Sequence, residues 1–373
     1  MGAHYPPDWS LFVHCRRVAA IALELARRLH LPEPEQIRIH QAALLHDRSP
    51  EPPQSPLADA IRASNLLVER LESNCSDRLG QDSILEELRS RARHGLLSPA
   101  VFQAVASFPW LHRDALLESA AHLPVYPHVA LRVLALAADD EVGFHELAAL
   151  ISRDQVLAGR LISAANSSLY APSHRIAAIG QAISYMGLAE ARRVITAAAF
   201  QPWFASVTLG GLWKHSLETA RLCEELASIS GLARPEEAFL AGLVHDVGRL
   251  AVSQFSQEAS LAWARLVEGG CDPTFAEVCL YGAGHGDLGA EILRQWNFPG
   301  HLVEAVRHHH QPERSPSALA YILYVAESRN PCQEATPSGL SLRHALENIG
   351  IRPASLPALE PAMGSLGSLL DAA

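Results

Sequence analysis

A histidine and an aspartate stand side by side in the apolar segment FLAGLVHDVGRL, as His245 and Asp246. Burial of an unpaired carboxylate costs several kcal/mol, so this pair is expected to have partners of its own. Imidazole nitrogen and carboxylate oxygen together suit Zn, Mn or Fe ions. The dipeptide therefore indicates either a metal site or a structural pair. A shorter echo, AALLHDRSP, carries His46 and Asp47 much earlier in the chain.

Further histidines occur in the same half of the chain, in separate segments. His215 lies in LWKHSLETA, His285 in GAGHGDLGAEIL, and His308–His310 in AVRHHHQPE. Alone, each is typical of a hydrogen-bonded structural histidine or of an exposed helix end. Because they co-occur with His245 and Asp246, we favour one cavity at the ends of bundled helices, to which several helices deliver ligands.

The elements that must position these residues are helices. Apolar residues recur at spacings of three and four, for example in RRVAAIALELARRLHL and EEAFLAGLVHDVGRL, which is typical of helices that bury one face. The alternating runs of β-branched and aromatic residues that build sheets are missing. The sequence therefore predicts an all-α fold. Asp154 is predicted to cap a helix that ends near Asn166, whose side chain is assigned to closing that helix rather than to a ligand.

The length of 373 residues favours two domains. Turn-forming residues gather at 107–110 and 122–127, which indicates a boundary there. We predict one helical bundle at 1–110, a larger helical bundle at 111–350 and a loosely held tail at 351–373.

Composition limits the class of partner. The net charge is -10, whereas proteins that grip a phosphate backbone cluster lysine and arginine, which argues against nucleic acid. The six cysteines form no C-x-x-C pair, and the N-terminus lacks the basic start and apolar core of a signal peptide. We therefore expect reduced thiols in the cytoplasm. No apolar run is long enough for a membrane span, so no membrane partner is expected.

A series of segments stands in a recognisable order along the chain: LPVYPHVALRVLALAADD, LAALISRDQVLAGRLISAANSSLYAP, IAAIGQAISYMGLAEARRVI, LWKHSLETA, FLAGLVHDVGRL, GHGDLGAEILRQWNFPGHLVEAVRHHHQPE and ALAYILYVAE. Together they resemble the HDOD family, the HD-related output domain of bacterial signalling proteins, over roughly residues 115–330. The resemblance implies an all-α fold of the HD superfamily. It also implies a regulatory module without a settled enzymatic activity, whose partners are other signalling proteins.

The catalytic relatives of this family, the HD and HD-GYP phosphohydrolases, hold metal ions and hydrolyse phosphoesters, including cyclic di-GMP. Carrying their ligands over by resemblance gives a candidate set for a divalent Mn, Fe or Zn ion in the C-terminal domain: His215, His245, Asp246, His285, His309, His310 and, in place of the terminal aspartate, Glu327. A nucleotide or cyclic dinucleotide is the ligand that this resemblance implies.

The chain also departs from the catalytic pattern. Gly211 stands where those relatives place a metal-ligating glutamate, and Arg249 stands where they place a lysine that contacts substrate phosphate. Arg249 is therefore the candidate catalytic residue only if the protein is an enzyme, because its charge remains but its shape differs. The Gly-Tyr-Pro signature after the double histidine is absent.

The N-terminal segment FVHCRRVAAIALELARRLHLPEPEQIRIHQAALLHD resembles the first half of an HD domain. The resemblance assigns His14 as the first histidine and His46 with Asp47 as the pair, and it places Asn65 near the position of the terminal aspartate. The helices that would bring the remaining histidines are missing. Three candidate ligands, without the remaining histidines to complete the coordination shell, indicate a degenerate site that should bind a catalytic metal poorly.

Two functions remain open. One is a signalling module that acts through protein contacts without catalysis, and the other is a metal-dependent phosphohydrolase acting on a nucleotide or cyclic dinucleotide. Gly211, Arg249 and the missing signature favour the first, because catalysis needs groups that orient substrate as well as a metal. The surviving histidines favour the second.

Overall fold

The computed structural model describes residues 8–47, 55–73, 78–108, 143–167, 170–201, 210–255, 257–330 and 341–352. Every regular element in these residues is helical, so the predicted all-α fold class is confirmed. No helix in the described part of the chain combines the length and the apolar character needed to cross a membrane.

The chain divides into two units by its internal contacts. Unit 1 comprises residues 1–121, 251–288 and 333–339, and unit 2 comprises residues 122–250, 289–332 and 340–373. The boundaries at 110 and 350 remain predictions about domains, and the sequence did not anticipate that residues 251–288 group with the N-terminal ones. Most of the predicted boundary region, which falls within residues 109–142, and the tail from residue 353 onwards lie outside the described residues.

Unit 1 is built from N-terminal helices and two helices from the middle of the chain. Its helices are α1 (Asp8–Arg28), α2 (Glu33–Leu44), α3 (Pro56–Ser73), α4 (Arg78–Arg93), α5 (Pro99–Ala106), α13 (Gln257–Glu268) and α14 (Pro273–Tyr281). Apolar residues of both segments share one core, which includes Ile21, Leu25, Leu67, Leu266 and Leu280, all fully buried. The later segment is therefore part of the interior of this unit.

Two ion pairs join α1 to the later segment of unit 1. The carboxylate of Glu24, fully buried, accepts hydrogen bonds of 2.8 Å from both Nε and Nη2 of Arg265. The Arg17 guanidinium donates to Asp272 at 2.8 Å, and the Asp272 carboxylate also caps α14 by accepting from the Phe275 amide at 2.9 Å. The bidentate pair of Arg265 and Glu24 fixes the relative orientation of its two side chains more strictly than a single hydrogen bond does.

Unit 2 contains the helices α6 (Phe144–Ile151), α7 (Gln155–Ala165), α8 (Ile179–Met186), α9 (Leu188–Phe200), α10 (Gly210–Ser230), α11 (Pro235–Val244), α16 (Gly300–Arg307), α17 (Ala318–Arg329) and α18 (Leu342–Asn348). Helices α12 (Gly248–Phe255) and α15 (His285–Gln295) include the positions at which the chain passes between the units.

The predicted cap of α7 is confirmed. The Asp154 carboxylate accepts hydrogen bonds from the amides of Val156 and Leu157 at 2.9 and 3.1 Å. Asn166 follows the last helical residue, and its side chain both donates to and accepts from the backbone of Ile176 at 2.8 Å. Asn166 therefore closes this helix and fastens the following loop, as its structural assignment predicted.

Gly242 allows helices α10 and α11 of unit 2 to approach closely. A Cβ atom at Gly242 on α11 would lie 2.5 Å from the Cα of Ala220 and 2.9 Å from the backbone oxygen of Thr219, both on α10. Only a residue without a side chain fits this contact. The close approach brings the C-terminal end of α11, where His245 and Asp246 lie, to the side of α10 that carries His215.

Candidate metal centre

His245 and Asp246 lie in the turn that follows α11, and neither is exposed to solvent. The His245 Nδ1–H donates to the backbone oxygen of Gly242 at 2.7 Å. A backbone carbonyl can only accept, so this bond fixes the proton on Nδ1 and leaves the Nε2 lone pair for other partners. The ring is thus held in the tautomer of a metal ligand.

Helices α10 and α17 bring a second histidine and a carboxylate to the same point. The Nε2 atom of His215 lies 3.1 Å from the Nε2 atom of His245. The Glu327 Oε2 atom lies 3.0 Å from each of these nitrogens. The Asp246 Oδ2 atom is 3.7 and 3.6 Å from the same two nitrogens. Four side chains from three segments therefore converge.

His309 adds a further imidazole from the turn after α16. Its Nδ1–H donates to the backbone oxygen of Val306 at 2.6 Å, as in the turn of His245, and its ring is fully buried. The His309 ring stands edge-on to the His245 ring with centroids 5.3 Å apart. Donor atoms of His245, Asp246 and His309 all lie within 4.8 Å of one another.

The separations between donor atoms fit a first-row divalent ion. Neighbouring ligands lie about 3.0 Å apart around an octahedral ion with bonds of about 2.1 Å, and about 3.3 Å apart around tetrahedral zinc. The 3.0 to 3.1 Å triangle of His215, His245 and Glu327 matches the octahedral spacing more closely. Imidazole and carboxylate donors are those that manganese and iron accept in such sites.

Without a metal cation, the carboxylates of the centre favour a proton on His245. Burial alone would lower the pKa of His245, but the charge of Asp246 and the hydrogen bond to Glu327 outweigh it and raise the pKa to about 9. Burial would likewise raise the pKa of Glu327, yet hydrogen bonds from His215 and His245 hold that pKa well below its usual range. Carboxylates that attract a proton this strongly also attract a metal cation.

Arg249, the candidate phosphate-binding residue, lies against this carboxylate cluster. Its Nε atom is 3.1 Å from the Asp246 Oδ1 atom, one turn earlier in the chain, and its side chain is 14% exposed. The guanidinium therefore offsets the charge of a candidate metal ligand.

Three further residues that the sequence singled out lie in described parts of the chain. The His310 ring, partly buried, packs on the His309 ring with centroids 4.0 Å apart. His285 is buried in unit 1, where its Nδ1 atom lies 2.6 Å from the Glu277 carboxylate. Gly211 has open space around the position of a missing side chain. The membership of His285 and His310 in the ligand set remains a prediction.

Sequence reasoning missed two residues that hold predicted histidines in place. The Asn330 Nδ2 atom, just after α17, lies 3.2 Å from the backbone oxygen of His215 and 3.1 Å from the Thr219 hydroxyl. Glu277 accepts from both the backbone amide and the ring of His285, at 2.8 and 2.6 Å. Neither residue stands in a recognisable motif, because each acts through the fold and not through a sequence spacing.

The N-terminal candidates also come together, within unit 1. Donor atoms of His14, His46 and Asp47 lie within 4.8 Å of one another, and the Asn65 Oδ1 atom lies 2.9 and 3.0 Å from the Nε2 atoms of the two histidines. Asn65 thus lies at the same point as the two histidines, and its equivalence to the terminal aspartate remains a prediction.

Comparison with known proteins shows the family to which this chain belongs. Residues 123–312 match the HDOD domain, and the chain belongs to this family, as the sequence predicted. An HDOD domain protein with unknown function from Geobacter sulfurreducens has a similar structure, with a TM-score of 0.54 and 25% identity over 69% of this chain and 98% of that one. A candidate phosphohydrolase from Shewanella amazonensis SB2B is similar, with a TM-score of 0.53 and 25% identity over 70% of this chain and 95% of that one.

Curated relatives are matched over part of their length only. Ribonuclease Y of Mycoplasma mycoides is 28% identical over 141 residues, which are 36% of this chain and 27% of that protein. The chain spans between 17 and 39% of the length of the first curated relatives it matches.

Proposed function

We propose that this chain is a regulatory signalling module that acts through contacts with other signalling proteins, without catalysing a reaction, and that its His–carboxylate centre holds a divalent metal ion. One observation carries the proposal: the candidate ligands are buried and Arg249 is paired with one of them. A phosphoester substrate needs open coordination positions and a cation that can contact phosphate, and this arrangement favours neither.

The burial of the centre supports a structural role for the ion. His245, Asp246 and His309 have no exposed surface, His215 is 5% exposed, and the Glu327 side chain is 12% exposed. Structural metal sites are closed by protein ligands, whereas catalytic sites keep a position for water or substrate. An ion held here would tie α10, α17 and the turn after α11 together.

Hydrogen bonds within the protein hold the candidate ligands in position before an ion binds. Backbone carbonyls fix the tautomers of His245 and His309, and Asn330 fastens the backbone of His215 to the end of α17. A bound cation would offset the charges of Asp246 and Glu327, which is the chemistry it supplies in a structural site.

Elemental analysis of the purified full chain tests the metal site. We expect about one equivalent of manganese, iron or zinc at this centre, lost in the His245→Ala, Asp246→Ala double variant. The exposed His301, 49% accessible and also in unit 2, provides a matched control as His301→Gln, which should keep the ion. Equal metal content in wild type and double variant, after loading with each metal, would contradict the site.

Phosphohydrolase activity on a nucleotide or cyclic dinucleotide is the second candidate function. The likeness to the candidate phosphohydrolase of Shewanella amazonensis, and the match to ribonuclease Y, favour it. A bound ion would supply Lewis-acid chemistry for phosphoester hydrolysis, and Arg249 would have to leave Asp246 to contact phosphate. Hydrolysis of a phosphodiester by the metal-loaded chain decides between the two functions.

A further inference from the structure

A cavity opens on unit 2 beside the first turns of α9. Its volume is about 570 Å³, which is within the range of pockets that hold small molecules. The loop after α7, the turn between α8 and α9, and helices α9 and α10 contribute its lining, and all of these elements belong to unit 2. Its polar lining is Tyr170, Glu190, Arg193 and Arg221, and its apolar lining includes Met186 and Leu188. None of these residues is a candidate metal ligand.

The charged side chains at this cavity form a series of ion pairs. The Arg193 guanidinium donates to the carboxylates of both Glu190 and Glu224, so its charge is shared between two anionic partners. Arg221 is bonded more loosely, through one contact of 3.2 Å from its Nη2 atom to the Glu190 Oε1 atom. Two arginines and two glutamates leave this series without a net charge.

Two polar groups of the lining lack a hydrogen-bond partner of normal geometry in the described part of the chain. They are the Arg221 Nε atom and the Tyr170 hydroxyl, and both atoms are shielded from solvent. Burial and, next, the charge of Glu190 raise the pKa of Tyr170, so its hydroxyl keeps its hydrogen as a donor. Polar atoms shielded from water are nearly always hydrogen-bonded, because an unpaired one is costly. A molecule that brings an oxygen acceptor to this point would satisfy both donors.

The other groups of the cavity limit what such a molecule can be. The side chains of Arg221 and Glu190 are 33% and 15% exposed, so a ligand can reach both. Each Glu190 oxygen is bonded to one arginine and retains a lone pair for a further donor. A simple anion would meet the like charge of Glu190 in a series that is already balanced. The matching ligand therefore carries an anionic acceptor, a cationic donor beside it and an apolar part.

We propose that this cavity binds a free α-amino acid with an apolar side chain. The carboxylate of the amino acid pairs with Arg221 and Tyr170, since a guanidinium and a carboxylate form charge-assisted hydrogen bonds. Its ammonium group pairs with Glu190, and its side chain packs on Met186 and Leu188. The site gives a regulatory module a small molecule to respond to, and it does not depend on an ion at the centre around His245.

Isothermal titration of the full chain with L-leucine, L-methionine and L-phenylalanine tests this site. We expect one equivalent of the amino acid that fits best to bind. Two analogues of that amino acid, one without the ammonium group and one without the carboxylate, should each bind about tenfold more weakly or worse, because each loses a charged hydrogen-bonded pair. No binding of any of the three amino acids would overturn the proposal. An analogue without the ammonium group that binds as tightly as its parent would also overturn it, in favour of a site for anions.

Two variants assign the binding to this cavity. Arg221→Gln should weaken it by about tenfold or more, whereas Arg294→Gln, on an exposed arginine of unit 2 outside the cavity, should leave the affinity unchanged. Tyr170→Phe keeps the test decisive if Arg221→Gln does not fold. It removes a hydroxyl that is unpaired in the free chain, so the protein should stay folded while the affinity falls by about threefold or more. Equal affinities of the wild-type and Tyr170→Phe proteins would contradict the placement of the carboxylate.

Discussion

At the scale of single residues, backbone carbonyls orient three histidine rings of this protein and fix their tautomers. His46, His245 and His309 each donate Nδ1–H to the carbonyl three residues earlier, at 2.8, 2.7 and 2.6 Å. The same local geometry thus recurs in both units, and each time it leaves Nε2 for another group. His245 and Asp246 were recognisable from the sequence because a charged pair in an apolar helix needs partners. Their orientation was not, because it depends on a turn of the backbone.

The pairing of Asp246 with Arg249 leads to a stability prediction. In chelator-treated protein, Asp246→Ala should lower the free energy of unfolding by about 3 kcal/mol, because it leaves a largely buried guanidinium without its carboxylate. Urea denaturation measures the loss. The control is Glu291→Ala, which breaks the Glu291–Arg294 ion pair of unit 2. This pair is more exposed than the Asp246–Arg249 pair, so its loss should cost under about 1 kcal/mol. Equal costs for the two variants would argue against the buried pair.

The thiol of Cys279 provides a pH test of unit 1. Burial raises the pKa of this thiol to about 12, so the reactive thiolate is scarce at pH 7 to 9. We expect iodoacetamide to modify Cys279 only as fast as unit 1 unfolds. From pH 7 to 9 the thiolate fraction of an exposed thiol with a pKa near 8.5 rises roughly 25-fold, and the labelling rate of Cys279, limited by unfolding, should not follow that rise. Mass spectrometry of the native protein measures this, and rapid native labelling would contradict the burial of α14.

At the scale of elements, the position of the centre depends on how closely α10 and α11 pack. The helices themselves were predictable, since apolar spacing and the cap at Asp154 are local signals. Gly242 was not, because a glycine within an apolar run signals nothing until the facing helix is known. Asn330 is similar: it matters only because the end of α17 lies beside the backbone of His215.

Gly242→Ala should separate these two helices. Its Cβ would lie 2.5 Å from backbone of α10, which cannot turn aside as a side chain can, so we expect a loss of about 1 to 3 kcal/mol in stability and weaker metal binding. Gly159→Ala on α7 is the matched control. It has open space around the new methyl group and should stabilise the protein by about 0.5 to 1 kcal/mol. Thermal and urea unfolding compare the two, and an unchanged Gly242→Ala protein would contradict the close approach.

At the scale of the whole molecule, the chain order does not follow the units. Residues 251–288 follow the His245 segment in sequence but contribute to the core of unit 1, where Arg265 binds the buried Glu24. Sequence boundaries are inferred from turn-forming residues and composition, and neither reveals which buried faces pack together. The family match at 123–312 is likewise a statement about sequence and crosses the division between units.

A fragment of residues 1–121 should therefore fold poorly by itself. It lacks α13 and α14, so part of its core is exposed and the Glu24 carboxylate loses Arg265. We expect poor dispersion in its amide NMR spectrum. Joining residues 251–288 to it through a flexible linker should restore a dispersed spectrum and cooperative unfolding. A well-dispersed spectrum of 1–121 alone would show that the N-terminal helices need no later segment.

The claim that the buried centre is not catalytic is tested most directly by one rate measurement. The full chain, loaded with manganese or iron, is incubated with bis-p-nitrophenyl phosphate and with a cyclic dinucleotide beside the Asp246→Ala variant. We expect no hydrolysis above the rate of the variant, because Arg249 is paired with Asp246 and the candidate ligands are buried. Turnover by the wild-type chain that disappears in Asp246→Ala would contradict this account and establish a metal-dependent phosphohydrolase.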